Sequence, residues 1–468
     1  MSRVLVSQLA RMGDLTQSLY LLRDLEQAGG HQVSVLVDKR LEAFARARAP
    51  WLETIYTMDL ERTLGGFRKG ISWTSLWQAL ADELRPLREA CFERVVNMNY
   101  GKLPAAVNEA IRGETLVEGF QVGDDGSFRD PWLEMVSRLV QTNRRWNRFH
   151  LVDVFRFLSP RRVPADRVRT RESKALCDRS VLGLQIATRC PKRTWGPRNL
   201  IEVIRRLQRD VGCEILLLGE GRERAQAEYI VRRVGPGRVR NLVGKTSLEE
   251  LVETLAGCDR LLSGDTGTLH LAAYLGVPSL GIFFGPALVF ETGPYGPGHL
   301  VLQAEPPCGP CREDAPCEEE TCRALMPPDT VFRLLTGESV EPCPHSQVYA
   351  SGFFDNWIAY RPLHRKRATR DDTIGFLYQG SAGEFLGESA DRLPSRNTVL
   401  TFFLTHYGVD RALLSAVYDA LEFSVPKTLR PADQERLLGI LRNGWTLMKE
   451  MHDECLGEEP ICLTTAAA

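Results

Sequence analysis

The chain has 468 residues, a 43% apolar share and a formal net charge of -1. This suits two or three domains with real hydrophobic cores and argues against a general nucleic-acid binder. No apolar run reaches the roughly 18 residues of a spanning helix, and Met1-Ser2-Arg3-Val4-Leu5-Val6 enters a strand with no signal-peptide core, so the expectation is a cytoplasmic chain that could still touch a membrane peripherally.

In chain order, Val4 to Leu9 reads as a buried strand, Ala10 to Asp14 as the turn after it, and Leu15, Leu19, Leu22 and Leu25 as one face of a helix stopped by Gly29-Gly30. Val33, Val35 and Val37 give a second strand, closed by Asp38. This is a mononucleotide-type βαβ start, but its turn holds only Gly13 in place of G-x-G-x-x-G, so no nicotinamide cofactor is expected. Asp14 is either a helix cap or a carboxylate presented at a strand's end. Arg94 to Met98 is a further strand, with Asn97 and Asn99 at its end as weak acceptor-site candidates. Gly123 to Ser127 is a turn whose two acids read as solvated, not as a metal site. A basic stretch from Arg144 to Lys174, interrupted by Pro160 and Pro164, marks the domain boundary. It is a solvated linker or a contact for an anionic acceptor or membrane surface.

A second α/β unit opens with the strand Val181 to Ile186 and the loop Ala187 to Pro197, followed by a helix with Leu200, Val203, Ile204 and Leu207 on one face. Glu214 to Leu218 is the next strand, ending in the turn Gly219 to Glu223. Ser247-Leu248-Glu249-Glu250 is a capping box. Then comes the most informative stretch, Leu261 to Gly285: a strand, the turn Ser263-Gly264-Asp265-Thr266-Gly267, a helix from Thr268 to Leu275, and a strand from Ser279. Such a turn offers backbone N–H groups, a hydroxyl and a positive helix end to an anion. Thr266 and Gly267 are the candidate amide donors. Strands alternating with helices through both halves imply parallel, doubly wound sheets.

Asp265-Thr266-Gly267-Thr268-Leu269-His270-Leu271-Ala272-Ala273, with Leu275-Gly276-Val277-Pro278 and Gly293-Pro294-Tyr295-Gly296, resembles glycosyltransferase family 9, the heptosyltransferase-type enzymes of lipopolysaccharide core assembly. The resemblance spans roughly residues 1 to 340 and implies a GT-B type α/β fold, two Rossmann-like doubly wound domains facing a cleft: 1–172 on the acceptor side and 173–340 binding the nucleotide-sugar. It implies an inverting transfer without a required cofactor, from a nucleotide-diphosphate-sugar to a glycan or glycolipid acceptor. The catalytic residues would be Asp14 as base and Lys192. The donor-binding residues would be Thr188, Glu223, Asp265, Thr266, Gly267, Thr268 and His270. Asp265 would order the turn or bind sugar hydroxyls, and Arg189 or Arg193 could stand in for Lys192. The loop around Lys192-Arg193-Thr194-Trp195-Gly196-Pro197 is longer than the family's, and the basic residue usual near Gln8 and the proline usual near Tyr20 are missing.

The twelve cysteines fit reduced thiols or a metal better than a secreted disulfide scaffold. Cys308, Cys311, Cys317 and Cys322 are spaced C-x2-C-x5-C-x4-C, which could hold a structural metal, although not in a standard zinc-ribbon spacing. Residues 341–468 read as a mainly helical extension without an assignable role, and the basic run from Arg361 to Arg370 as solvated. Other readings are a nucleotide-sugar epimerase of the same architecture, a non-catalytic glycan-assembly binding protein and, more weakly, a cysteine-bound zinc module contacting nucleic acid. Donor alone would separate the epimerase from the transferase.

Overall fold

The computed structural model describes residues 1–62, 73–115, 117–120, 130–317, 320–341, 343–387, 392–425, 427, 429 and 431–457. The Gly123 to Ser127 turn lies outside them. Two compact units are present, one of Met1–Glu134 with His150–Tyr360, the other of Met135–Phe149 with the chain from Arg361 onward.

The first unit holds both predicted α/β lobes. Strands β1 (Ser2–Gln8), β2 (His31–Asp38), β3 (Thr54–Met58), β4 (Arg94–Asn97) and β5 (Val117–Gly119) form a parallel sheet in the order β3-β2-β1-β4-β5. Val4, Leu5 and Val6 are fully buried, as a central parallel strand covered on both faces requires. The second sheet contains β6 (Val181–Gln185), β7 (Glu214–Leu218), β8 (Val239–Asn241), β9 (Arg260–Gly264), β10 (Ser279–Phe283) and β11 (Leu300–Ala304). Two further strands, β12 (Ser346–Phe354) and β13 (Trp357–Pro362), lie inside the segment expected to be mainly helical. They complete the order β13-β12-β11-β10-β9-β6-β7-β8, with β12 antiparallel to β11. Their two-residue connection, Asp355-Asn356, has positive φ at both positions, the backbone of a type I′ hairpin turn.

Chain order reverses between β1 and β4 in the first sheet and between β6 and β9 in the second. Ligands of open α/β sheets sit in the crevice at such switch points, beyond the strands' carboxyl ends. The helix Met12–Ala28 leaves the first switch point and the helix Gly267–Tyr274 the second. Leu15, Leu19 and Leu22 share one core with Leu269, Leu271 and Ala272, so these two helices join the lobes.

The second unit is built on helices Arg370–Leu386, Arg396–His406, Arg411–Ser424 and Pro431–Gly457. Asp372 is buried there between Arg148, at 2.9 Å, and Lys366, at 3.4 Å. Lys366 therefore leaves the expected solvated run for an ion pair. Arg148 and Arg156, from the predicted basic linker, are likewise buried.

Candidate active site

The turn after β1 is fastened from beneath. Gln8 is buried, donates to Ser18 Oγ at 2.8 Å and accepts the Ala10 N–H at 3.2 Å. Asn99 accepts the Leu9 N–H at 2.7 Å and donates to the Ser7 carbonyl at 2.8 Å. Asn97 accepts the Asn99 N–H at 3.0 Å and donates to the Phe120 carbonyl at 2.5 Å. The two asparagines thus hold the turn that carries Asp14.

Asp14 is half-buried, and its Oδ2 accepts the Arg11 N–H at 3.2 Å, which closes the first turn of the helix. The same carboxylate borders a cavity of about 290 Å³ lined also by Gln8, Met98, Tyr100, Phe120 and Phe155. Capping and exposure to a ligand space coexist in this residue.

In the second lobe, Thr266 caps the Gly267–Tyr274 helix: its Oγ1 accepts the Leu269 N–H at 3.3 Å and meets Ser263 Oγ at 2.9 Å. The amides of Gly267 and Thr268, in the first turn, are among those a helix cannot satisfy internally. Asp265 is buried, with Oδ2 accepting from Arg193 Nη1 at 2.6 Å and Oδ1 3.6 Å from His270 Nε2. Burial pushes this carboxyl up, but the contacts with His270 and Arg193 outweigh it and hold it below the usual carboxylate range. Arg193 also pairs with Glu313. Thr268 Oγ1 donates to Gln185 Oε1 at 3.0 Å, tying the helix to the end of β6.

The flanking candidates are placed differently. Thr188 donates its hydroxyl to the Cys190 carbonyl at 2.6 Å and stands against Gly264, where a Cβ would come within 3.0 Å of its methyl. Lys192 turns its ammonium to the Arg312 carbonyl at 3.2 Å, so the cation brought to Asp265 is Arg193. Glu223 is buried and accepts the Glu220 N–H at 2.7 Å, the reciprocal half of a local capping box. Among the described residues no group of three or more His, Cys, Asp or Glu is arranged to hold a metal, and Cys308, Cys311, Cys317 and Cys322 are not joined in disulfides.

The two switch points meet at Gly13 and Gly267. A Cβ on Gly13 would lie 2.7 Å from Gly267 Cα and 3.4 Å from His270 Cδ2. Two helix N-termini are therefore in backbone contact, with Asp14 on one side and Asp265, His270 and Arg193 on the other. Thr266 and Gly267 are only half-buried, so the meeting point is open to ligand.

His150, a residue that gave no sequence signal, stands behind this group. Its Nδ1 accepts the Val152 N–H at 3.1 Å, so Nε2 carries the proton to the Gly293 carbonyl at 2.8 Å. Burial pushes its pKa down to about 3, and burial does the same to His299. The unfolded chain protonates both near about pH 6.5 while the folded one stays neutral, so stability falls as pH drops through that window, by roughly 1.4 kcal/mol per pH unit per histidine. The urea midpoint should therefore decline from about pH 7 to pH 5, and His150→Gln should flatten that slope. A profile already flat in the parent protein would refute the neutral, buried assignment.

Residues 150–322 match the family model "Glycosyltransferase family 9 (heptosyltransferase)". Lipooligosaccharide heptosyltransferase 2 of Campylobacter jejuni is 28% identical over 124 residues, 25% of this chain and 39% of its own length. Lipopolysaccharide heptosyltransferase 1 of Pseudomonas aeruginosa is 42% identical over 67 residues, 14% of this chain and 19% of its own. The chain thus aligns with well under half the length of these curated relatives. Among solved structures, the E. coli ADP-heptose lps heptosyltransferase II superposes with a TM-score of 0.51 at 16% identity, over 72% of this chain and 98% of that one, a likeness of fold. The architecture is the two-lobed GT-B type that the motif implied, and the match to the glycosyltransferase family 9 model is confined to residues 150–322.

Proposed function

We propose that this chain is a family 9 inverting glycosyltransferase of the heptosyltransferase type, moving a sugar from a nucleotide-diphosphate donor to a lipopolysaccharide-core or similar surface-glycan acceptor. The observation that carries the reading is the Gly13–Gly267 contact, which sets a carboxylate at one helix start against an anion-ready helix start. The lobe from β1 to β5 takes the acceptor in the cavity beside Asp14, and the lobe from β6 onward takes the donor. Asp14 removes the proton from the acceptor hydroxyl as its oxygen attacks the anomeric carbon. The bond from that carbon to the diphosphate oxygen breaks, and the leaving diphosphate keeps the electron pair. Its growing charge is met by the amides of Gly267 and Thr268 and by the Arg193 guanidinium, so the reading needs no cofactor. Asp265 holds that cation and His270 frames the sugar beside it, while Glu223 faces the ribose from the end of β7.

A panel of nucleotide-sugars, ADP-heptose among them, tests this by thermal shift, because a ligand bound only by the native state raises the melting temperature. One donor should stabilise the protein and be consumed only when a glycan acceptor is present. Conversion of donor alone into its epimer would establish the epimerase instead, and absence of any shift would remove the donor site.

The two cations of the donor loop separate in the same assay. Arg193→Met should weaken nucleoside-diphosphate binding by roughly 10- to 100-fold, the range of a lost charge-assisted hydrogen bond. Lys192→Met, whose ammonium is held by the Arg312 carbonyl and not by Asp265, should cost less than about threefold. Equal losses measured by calorimetry would return the role to Lys192.

A further inference from the structure

A second cavity, of about 640 Å³ against about 290 Å³ beside Asp14, lies at the other end of the same helix pair. Tyr20 and Arg23 line it from the first helix, Tyr274 and Leu275 from the end of the second, and Arg167 and Arg169 from the segment joining the lobes. Its volume is that of a small-molecule site. Its charge is one-sided. Four arginines and one acid, Asp24, border it, and Asp24 is fully engaged by Arg156 at 2.6 and 2.9 Å and by the Val163 N–H at 2.7 Å. Three guanidiniums remain. Arg23 lies over the Trp51 ring, with Glu26 3.9 Å away, while Arg167 and Arg169 are exposed and have no carboxylate at hand in the cavity. The Tyr20 and Tyr274 rings, edge to face at 5.5 Å, and Leu19, Val168 and Leu275 make the remaining wall apolar.

Guanidiniums gathered around one concavity whose single acid is already engaged repel one another, and a multivalent anion removes that repulsion. The rings and leucines add a face for a flat or apolar body. We infer that this cavity binds a phosphomonoester carried on a compact ring or apolar body, at a site separate from the donor crevice. The binding does not depend on the proposed transfer reaction.

Isothermal titration with phenyl phosphate and, in parallel, inorganic phosphate tests the site on the full chain. Phenyl phosphate should bind with one-to-one stoichiometry and more tightly than inorganic phosphate. Arg167→Glu with Arg169→Glu should weaken it at least tenfold at an unchanged melting temperature, since both side chains are exposed. Arg193→Met should leave it intact. The inference is overturned by absence of binding, by equal binding of both probes, by indifference to the double charge reversal, or by loss in Arg193→Met, which would place the anion in the donor crevice.

Discussion

Asp14→Asn should lower transfer by about 10²- to 10⁴-fold, the range of a lost general base, while the melting-temperature rise given by the donor stays within error. The choice of asparagine follows from the geometry. The Asp14 carboxylate has two tasks: it accepts the Arg11 N–H at 3.2 Å and it borders the acceptor-side cavity. Asparagine keeps an oxygen for the first task, so the helix start survives. It cannot take a proton, so the second task fails. Alanine would remove both and weaken the capping box at the helix start, which makes it the poorer probe. Transfer retained in Asp14→Asn would leave the residue a cap and send the search for the base elsewhere in the crevice.

The turn before the helix Gly267–Tyr274 was legible because its constraints are local. A strand, a polar turn, a helix and a stop at Gly276-Val277-Pro278 follow one another within 25 residues of Leu261–Gly285, and the Thr266 cap and the Ser247 capping box formed as their side-chain chemistry dictates. What sequence could not supply was the meeting of distant elements. Gly13 looked like an incomplete dinucleotide turn, yet its lack of a Cβ serves a contact with Gly267, more than two hundred positions away. Lys192 and Arg193 are adjacent, and only the fold decides which of them faces Asp265. The β12–β13 hairpin did carry a sign, the strand-forming Val348, Tyr349, Phe353 and Phe354 across an Asp-Asn turn from the run Trp357 to Pro362. The chain's drift to helical patterns after it outweighed that sign. Arg156 was misread for a physical reason: a basic run is usually solvated, and its partner Asp24 lies 132 positions earlier, on a helix whose leucines gave no hint of a buried acid.

That pair carries the largest expected effect on stability. Asp24→Ala should cost about 3–5 kcal/mol, because it strands a buried guanidinium. The Arg156 and Asp24 side chains are 1% and 0% exposed, and two hydrogen bonds of 2.6 and 2.9 Å join them. Arg156 also donates to Tyr295 Oη at 2.9 Å, and Tyr295 donates to Asp153 Oδ1 at 2.8 Å. Asp153 in turn accepts the Ile358 N–H at 3.0 Å. The network therefore runs from the first helix, through the helix Leu151–Arg156, to Tyr295 and to β13 in the second lobe. With Asp24 gone, the buried Arg156 guanidinium loses its only carboxylate partner in a hydrogen bond among the described residues, so the loss should appear as a lower urea midpoint with an unchanged slope. Asp24→Leu combined with Arg156→Met should recover most of it, since apolar groups of similar volume replace a buried pair at little net cost. A single variant losing less than about 1 kcal/mol would mean that water reaches the guanidinium; a double variant as damaged as the single would mean that the Tyr295 contact, not the ion pair, holds the lobes together.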